Sequence, residues 1–320
     1  MLGEPSKTSV FRPASSEAGA IHQYSLLILA ITGAIFAVVF TLLVVAIVRF
    51  RRREGDDTAE PPQVYGSDQV EVAWTVIPIL IVIVMSLTTA RTIFEIQDRA
   101  KPADALEITV IGRQWWWELR YPQLGIVTAN ELHVPVSDKD HPAATFLTLQ
   151  SADVAHSFWV PRLAGKTDLI PNRINHTWFD PHEPGLYLGQ CAEYCGTEHA
   201  KMLLRVYVDT REDFDRWVAA QRAAAVTSET VAAGRNVFQT TACLNCHTVQ
   251  GTNGNGRYGP DLSHLMSRET IASGSVPNTP DMLKAWVRDP NVLKPGALMP
   301  AMQLDDQKLD ALVAYLGSLR

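Results

Sequence analysis

Cys191-Ala-Glu-Tyr-Cys195-Gly-Thr-Glu-His199-Ala-Lys-Met202 sets two thiols, an imidazole and a thioether within twelve residues. Thiolates and thioethers are soft ligands that favour copper, and imidazole suits copper in either oxidation state. Two cysteines can each bridge a pair of metal ions, which leaves one His and one weak ligand for each ion. The missing ligand is then a second His on an adjacent strand. His156 and His176 both lie close to strand-like runs, and His156, in Ser151-Ala-Asp-Val-Ala-His156-Ser-Phe-Trp-Val-Pro161, is the better placed at a strand end. Two other readings compete: a Cys191–Cys195 disulfide beside an incidental His and Met, and zinc, which rarely recruits Met. A ligand loop held between two strands keeps metal geometry fixed through a redox cycle, which is what an electron relay needs.

On both sides of this loop the chain alternates with period two. Leu106, Ile108 and Val110 are separated by Glu107 and Thr109, and Met202, Leu204, Val206 and Val208 repeat the pattern. Short strands with Pro- and Gly-containing turns run from Lys101 to about Asp209, which predicts a small antiparallel sandwich or barrel.

Upstream, no charged residue occurs from Gln23 to Val48, a length that crosses a bilayer as a helix. Arg49, Arg51, Arg52 and Arg53 follow and place that end in the cytoplasm. A second uncharged stretch, Val72 to Ala90, returns the chain outward and tolerates Pro78 as a membrane helix does. Residues 1–22 lack the charged start, apolar core and cleavage site of a signal peptide and form an N-terminal extracytoplasmic segment.

Downstream, residues 213–227 read as an Ala-rich amphipathic connector. Beyond it Cys243-Leu-Asn-Cys246-His247 carries the attachment signature of a c-type haem, with two thiols for the vinyl groups and an imidazole for the iron. A disulfide or a thioredoxin-like pair does not account for the adjoining His. Met299, in Lys294-Pro-Gly-Ala-Leu-Met299-Pro300, is the expected opposite axial ligand, since Met/His ligation raises the potential. Met302 is the nearest competitor, while Met266 and Met282 read as packing residues. The last helix starts at an N-cap Asp305 or Asp306, with Leu309, Leu312, Val313 and Leu316 on one face.

The average composition, 47% hydrophobic and 19% charged, hides how strongly the apolar residues cluster near the N-terminus. A net charge of −6 argues against nucleic acid as a partner.

The run Cys191–Met202 resembles the CuA loop of cytochrome c oxidase subunit II at every ligand position. The resemblance extends over residues 20–210 through Gly112-Arg-Gln-Trp-Trp-Trp117, His156–Pro161, Lys166-Thr-Asp168-Leu-Ile-Pro-Asn-Arg173 and Pro184-Gly-Leu-Tyr-Leu-Gly-Gln190. It implies a cupredoxin fold and a dinuclear copper centre held by the side chains of His156, Cys191, Cys195, His199 and Met202. Glu193 would give its backbone carbonyl to copper and turn its side chain to a magnesium or manganese ion at the subunit I interface. Trp115 matches the family's exposed electron-entry Trp, and Glu71 the Glu at the mouth of a proton pathway. Arg113 and Trp116 depart from the family's usual His and Tyr, so the docking surface is expected to differ.

Residues 229–320 resemble a class I cytochrome c, with Gly234 and Phe238 on the first helix and Gly259-Pro-Asp-Leu262 after the attachment motif. The family's match to Pro260 accepts a hydrogen bond from the proximal imidazole, here His247.

The implied architecture is a two-helix transmembrane hairpin (23–100), an all-β cupredoxin-like Greek-key barrel (101–210), a linker (211–228) and an all-α class I cytochrome c domain (229–320). Such a fusion resembles subunit II of a caa-type, proton-pumping cytochrome c oxidase in a bacterial inner membrane, with both cofactor domains on the periplasmic side. Its expected partners are the lipid bilayer, oxidase subunits I and III, and a soluble or membrane-bound cytochrome c or a quinol:cytochrome c oxidoreductase as donor. A copper assembly or storage protein would lack the second redox centre. A nitrous oxide reductase would carry a large catalytic domain of its own. The entry subunit of a haem-copper nitric oxide reductase is the remaining alternative, and Glu71 with Lys166 and Asp168 favours the oxygen-reducing complex. Residues 101–209 hold 13 acidic against 9 basic side chains and residues 229–320 hold 8 of each. So weak a contrast suits a tethered donor that needs no strong docking.

Overall fold

The computed structural model describes residues 7–51, 63, 65–97, 100–138, 142–225 and 229–320. Arg52 and Arg53 of the basic cluster, and residues 226–228 of the linker, lie outside them. The chain divides into two compact units, one of residues 19–100 and one of residues 101–320 joined by the N-terminal residues up to Ala18.

The smaller unit is the hairpin. Helix α1 spans Ser16–Arg49 and α2 spans Asp68–Gln97, each long and apolar enough to cross a membrane. Hydroxyls along both helices bond back to their own backbone, as Ser25 does to Ile21 O (2.8 Å) and Thr88 to Val84 O (2.9 Å). Each of these hydroxyl hydrogens is thereby satisfied within its own helix and needs no partner from the surroundings. Tyr24, near the start of α1, meets the Thr89 hydroxyl near the end of α2, so the helices run antiparallel. Phe36, Val39, Leu42, Val72, Ile79 and Leu87 are all exposed. A surface this apolar fits lipid or neighbouring helices, not water.

In the larger unit ten strands form two five-stranded sheets. The first holds β1 (Leu106–Arg113), β2 (Trp116–Tyr121), β3 (Ile126–Ala129), β5 (Thr145–Ser151) and β8 (Asn175–Phe179) in the order β3-β2-β1-β5-β8. The second, ordered β4-β10-β9-β6-β7, holds β4 (Glu131–Pro135), β6 (His156–Trp159), β7 (Thr167–Leu169), β9 (Gly185–Cys191) and β10 (Leu203–Asp209). The expected antiparallel sandwich is in fact mixed. β1 pairs with β5, and β4 with β10, in parallel, because each pair is joined by a crossover and not by a hairpin. The chain passes from one sheet to the other at Asn130, whose positive φ of 63° suits Asn and whose side chain accepts from Trp117 N at 2.9 Å. Ile108, Leu119, Leu132, Leu149, Phe158 and Val206 fill the space between the sheets.

Helix α3 spans Arg211–Arg222, starting two residues before the expected connector. Thr210 caps it by accepting from Asp213 N, and Phe214 and Val218 pack against the sandwich.

The C-terminal helices close a second core around Phe238, Leu283, Leu309, Leu312 and Tyr315. Helix α4 (Ala232–Thr240) crosses α8 (Asp306–Leu316) at Gly234, where a Cβ would lie 1.9 Å from Ala311 O. Asp305 is the N-cap of α8, accepting from Lys308 N at 2.8 Å. Between them lie α5 (Cys243–Cys246), the two-stranded β11 (Thr270–Ile271) and β12 (Val276–Pro277), α6 (Pro280–Arg288) and α7 (Pro290–Leu293). Met266 and Met282 pack against this core, as their sequence positions suggest.

Candidate metal and haem centres

The loop between β9 and β10 turns both thiols inward. The Cys191 and Cys195 sulfurs stand 3.8 Å apart, and both cysteines are free. His156 at the start of β6 brings Nδ1 to 3.9 Å from the Cys191 sulfur. His199 brings Nδ1 to 3.6 Å from the Cys195 sulfur, and Met202 brings its sulfur to 3.9 Å from the same atom. The Glu193 carbonyl lies 3.2 Å from the Cys191 sulfur. His176, the other candidate imidazole, is exposed on β8.

Two sulfurs, two imidazoles, a thioether and a carbonyl thus converge, with His156, Cys191 and Cys195 all buried. This is a donor set that fits a pair of copper ions. The Cys195 thiol and the His156 imidazole hold Cys191 down to about 3, while Cys191 in turn, together with burial, pushes Cys195 up. One sulfur of the pair is therefore a ready thiolate, the form that binds metal. Burial opposes charge on His156, but the Asp153 carboxylate, 2.7 Å from its Nε2, and the Cys191 sulfur together outweigh it and raise the imidazole above its ordinary value.

Asp153 also sets which ring nitrogen faces the sulfurs, as carboxylates commonly do behind metal-bound imidazoles. It escaped the sequence reading, although its place three residues before His156 was a signal. Gln114 escaped it too; its side-chain amide donates to Cys195 O at 2.8 Å.

Trp115 lies between β1 and β2 with its indole N–H on Cys195 O at 2.9 Å, which places it against the cysteine loop. The expected exposure is not found. Trp115 is 9% exposed, and its carbonyl accepts from Lys294 of the C-terminal domain at 2.8 Å. The covering domain is a physical reason for the difference. Arg113 pairs with Glu118 at 2.8 Å and lies over the Trp116 ring at 5.6 Å, so the residues that depart from the family pattern pack on each other. Glu71 sits exposed in the first turn of α2. Lys166 is exposed just before β7, and Asp168 lies half-buried on that strand at the edge of the second sheet.

In the C-terminal domain Cys243 and Cys246 occupy α5 with both thiols free, and His247 ends it. The His247 Nδ1 bonds Pro260 O at 2.7 Å, which leaves Nε2 for a metal. Burial holds the imidazole below its ordinary range, so it is the neutral, ligating form. A Cβ on Gly259 would sit 2.4 Å from the ring, so only Gly leaves room for it. Free thiols, an oriented neutral imidazole and this recess fit a covalently held haem. Met299 lies half-buried in the loop between α7 and α8, and its candidacy as the opposite axial ligand rests on the sequence.

A membrane hairpin, a cupredoxin-like sandwich with a soft metal site and a c-type cytochrome domain together define a membrane-bound redox subunit. Family models match all three parts: the transmembrane domain of cytochrome c oxidase subunit II over residues 7–91, its periplasmic domain over 106–208 and cytochrome c over 231–320. The chain is 35% identical to cytochrome c oxidase subunit 2 of Alkalihalophilus pseudofirmus, covering 100% of this chain and 92% of that one. It is 35% identical to the same subunit of Bacillus sp. strain PS3, covering 85% and 80%. Among solved structures it is similar to the periplasmic domain of subunit II of the Bradyrhizobium japonicum cytochrome oxidase. That match has 31% identity and a TM-score of 0.36 and covers 39% of this chain and 97% of that one. The chain belongs to the cytochrome c oxidase subunit II family and carries a C-terminal cytochrome c domain.

Proposed function

We propose that this chain takes electrons from an external donor on its haem domain. It then passes them through the copper domain to the oxygen-reducing subunit I of a proton-pumping oxidase. The haem and the copper pair each supply a one-electron redox change, and no bond to the protein is made or broken as an electron passes. The chain's own residues hold, orient and shield. His156, Cys191, Cys195, His199, Met202 and the Glu193 carbonyl would hold copper, and Cys243, Cys246, His247 and Met299 the haem. Trp115 is the entry residue to the copper loop. Glu71 would stand at a proton-path mouth, and the Glu193 side chain would meet a magnesium or manganese ion at the subunit I interface. Both cofactor domains lie on the periplasmic side in this reading. The donor is a cytochrome c or a quinol:cytochrome c oxidoreductase, and subunit III completes the complex.

The observation that carries this reading is the pair of sulfurs 3.8 Å apart, ringed by two imidazoles and a thioether, on the chain that also bears Cys-Leu-Asn-Cys-His. The test is C191S in the assembled oxidase. The expected result is loss of the two-copper paramagnetic signal, with haem c staying reduced in the presence of oxygen. Reoxidation of haem c at the full rate would defeat the proposal.

A further inference from the structure

The sandwich and the haem domain meet along a seam of buried charge. Glu131, 2% exposed on β4, accepts from Glu269 N (2.9 Å), Thr270 N (2.8 Å) and the Thr270 hydroxyl (2.5 Å). Arg205 pairs with Glu269 at 2.9 Å, and Leu203 exchanges hydrogen bonds with Ser273. At the other end Lys294, 3% exposed, donates to Trp115 O (2.8 Å) and Lys201 O (3.0 Å), while Lys201 donates to Leu293 O (3.3 Å). Gly296 packs so closely on Thr197 that a Cβ would lie 3.2 Å from its methyl. The loop that leads to Met299 is thereby interlocked with residues 197–201 of the copper loop.

Burying an ammonium and a carboxylate is a poor way to gain stability, because apolar side chains of the same volume hold an interface as well or better. Buried charges do fix register, since any slip leaves them unpaired.

We infer that Lys294 is a positioning residue: it locks the Met299 loop in register with Trp115 and the copper loop. The haem domain is therefore seated on the copper domain and does not swing on its linker. This rests on the haem-to-copper path proposed above. The near-neutral charge contrast between the domains is then no measure of their docking, because the contacts that matter are a few buried pairs and not a surface field.

The test uses the assembled, metal-loaded oxidase with and without K294M, after checking that the haem and copper spectra are unchanged. Electron transfer from photoreduced haem c to the copper pair is timed, and amide exchange is followed at residues 197–203 and 293–297. K294M is expected to slow that transfer on the order of tenfold, the factor by which losing hydrogen bonds to a charged group shifts a docking equilibrium. It is expected to speed exchange at both segments, and to leave onward transfer from the copper pair to subunit I unaltered. An unchanged haem-to-copper rate, or a slowed rate with unchanged exchange, would overturn the role of Lys294. In the unaltered protein the rate is expected to be independent of solvent viscosity. A viscosity-dependent rate means a swinging domain and overturns the inference without any variant. If haem c does not reduce the copper pair even in the unaltered protein, the path itself is what fails.

Discussion

Gly112 stands where any side chain would strike a metal ligand. A Cβ there would lie 2.7 Å from Cδ2 of His156, which is 0% exposed and has nowhere to go. G112A should therefore lower stability by about 1–3 kcal/mol, the usual cost of overpacking. It should also alter the copper hyperfine pattern, because the ring it displaces points at Cys191. A variant with unaltered melting and an unaltered spectrum would show that the ring has room. The ligands were legible in the sequence because metal chemistry restricts residue type so severely. Cys191, Cys195, His199 and Met202 announce themselves by type and spacing. Gln114 and Gly112 did not, since a Gln or a Gly acquires its role only from what the fold brings beside it, and Asp153 had only its spacing from His156 to mark it.

At the scale of elements, the crossing of α4 and α8 depends on one missing methyl group. The obstruction at Gly234 is the backbone of Ala311, which unlike a flexible side chain cannot rotate away. The helices must separate to admit G234A, at a cost of about 3 kcal/mol or more, at the upper end for overpacked sites. Thermal unfolding followed at the haem absorption should shift down while the copper signal of the other domain persists. Equal midpoints for variant and parent would contradict the crossing. Helix α8 was readable beforehand from Leu309, Leu312 and Leu316, whose spacing is that of one buried face. The strands were readable by alternation, as β10 buries Leu204, Val206 and Val208. Their pairing was not. Alternation says which face a side chain takes and says nothing of whether the neighbouring strand runs parallel, so β1 with β5 and β4 with β10 had to come from the structure.

Across the whole molecule the three architectural parts were legible in the chain, each through its own period or motif. Their assembly was not, because Glu131 and Lys294 look like ordinary surface charges until the domains meet. That meeting gives the molecule a pH dependence. Burial pushes Lys294 down to about 8, against the pull of Glu198; Lys201 and the Cys195 sulfur are the other titratable groups around it. A free lysine titrates near 10.4, so between about 8 and 10.4 the unfolded chain holds a proton that the folded chain lacks. Stability should rise with pH across that window and fall back as pH drops through 8, by roughly 3 kcal/mol at most. The thermal midpoint of the solubilised chain at pH 7.5 and 9.5 would measure it, and K294M should abolish the slope. A slope that survives in K294M would assign the proton to another group.

Trp115 is buried where Lys294 meets its carbonyl. On the seating inferred above, a protein arriving from solution meets the haem-bearing face and never the indole. Choice of donor is then inherited by the C-terminal domain alone, and substitutions that retune it can accumulate there without disturbing the copper loop. Residues along the seam answer to both domains at once and can change only in concert. The covered indole divides the surface into a part free to drift and a part held by mutual constraint.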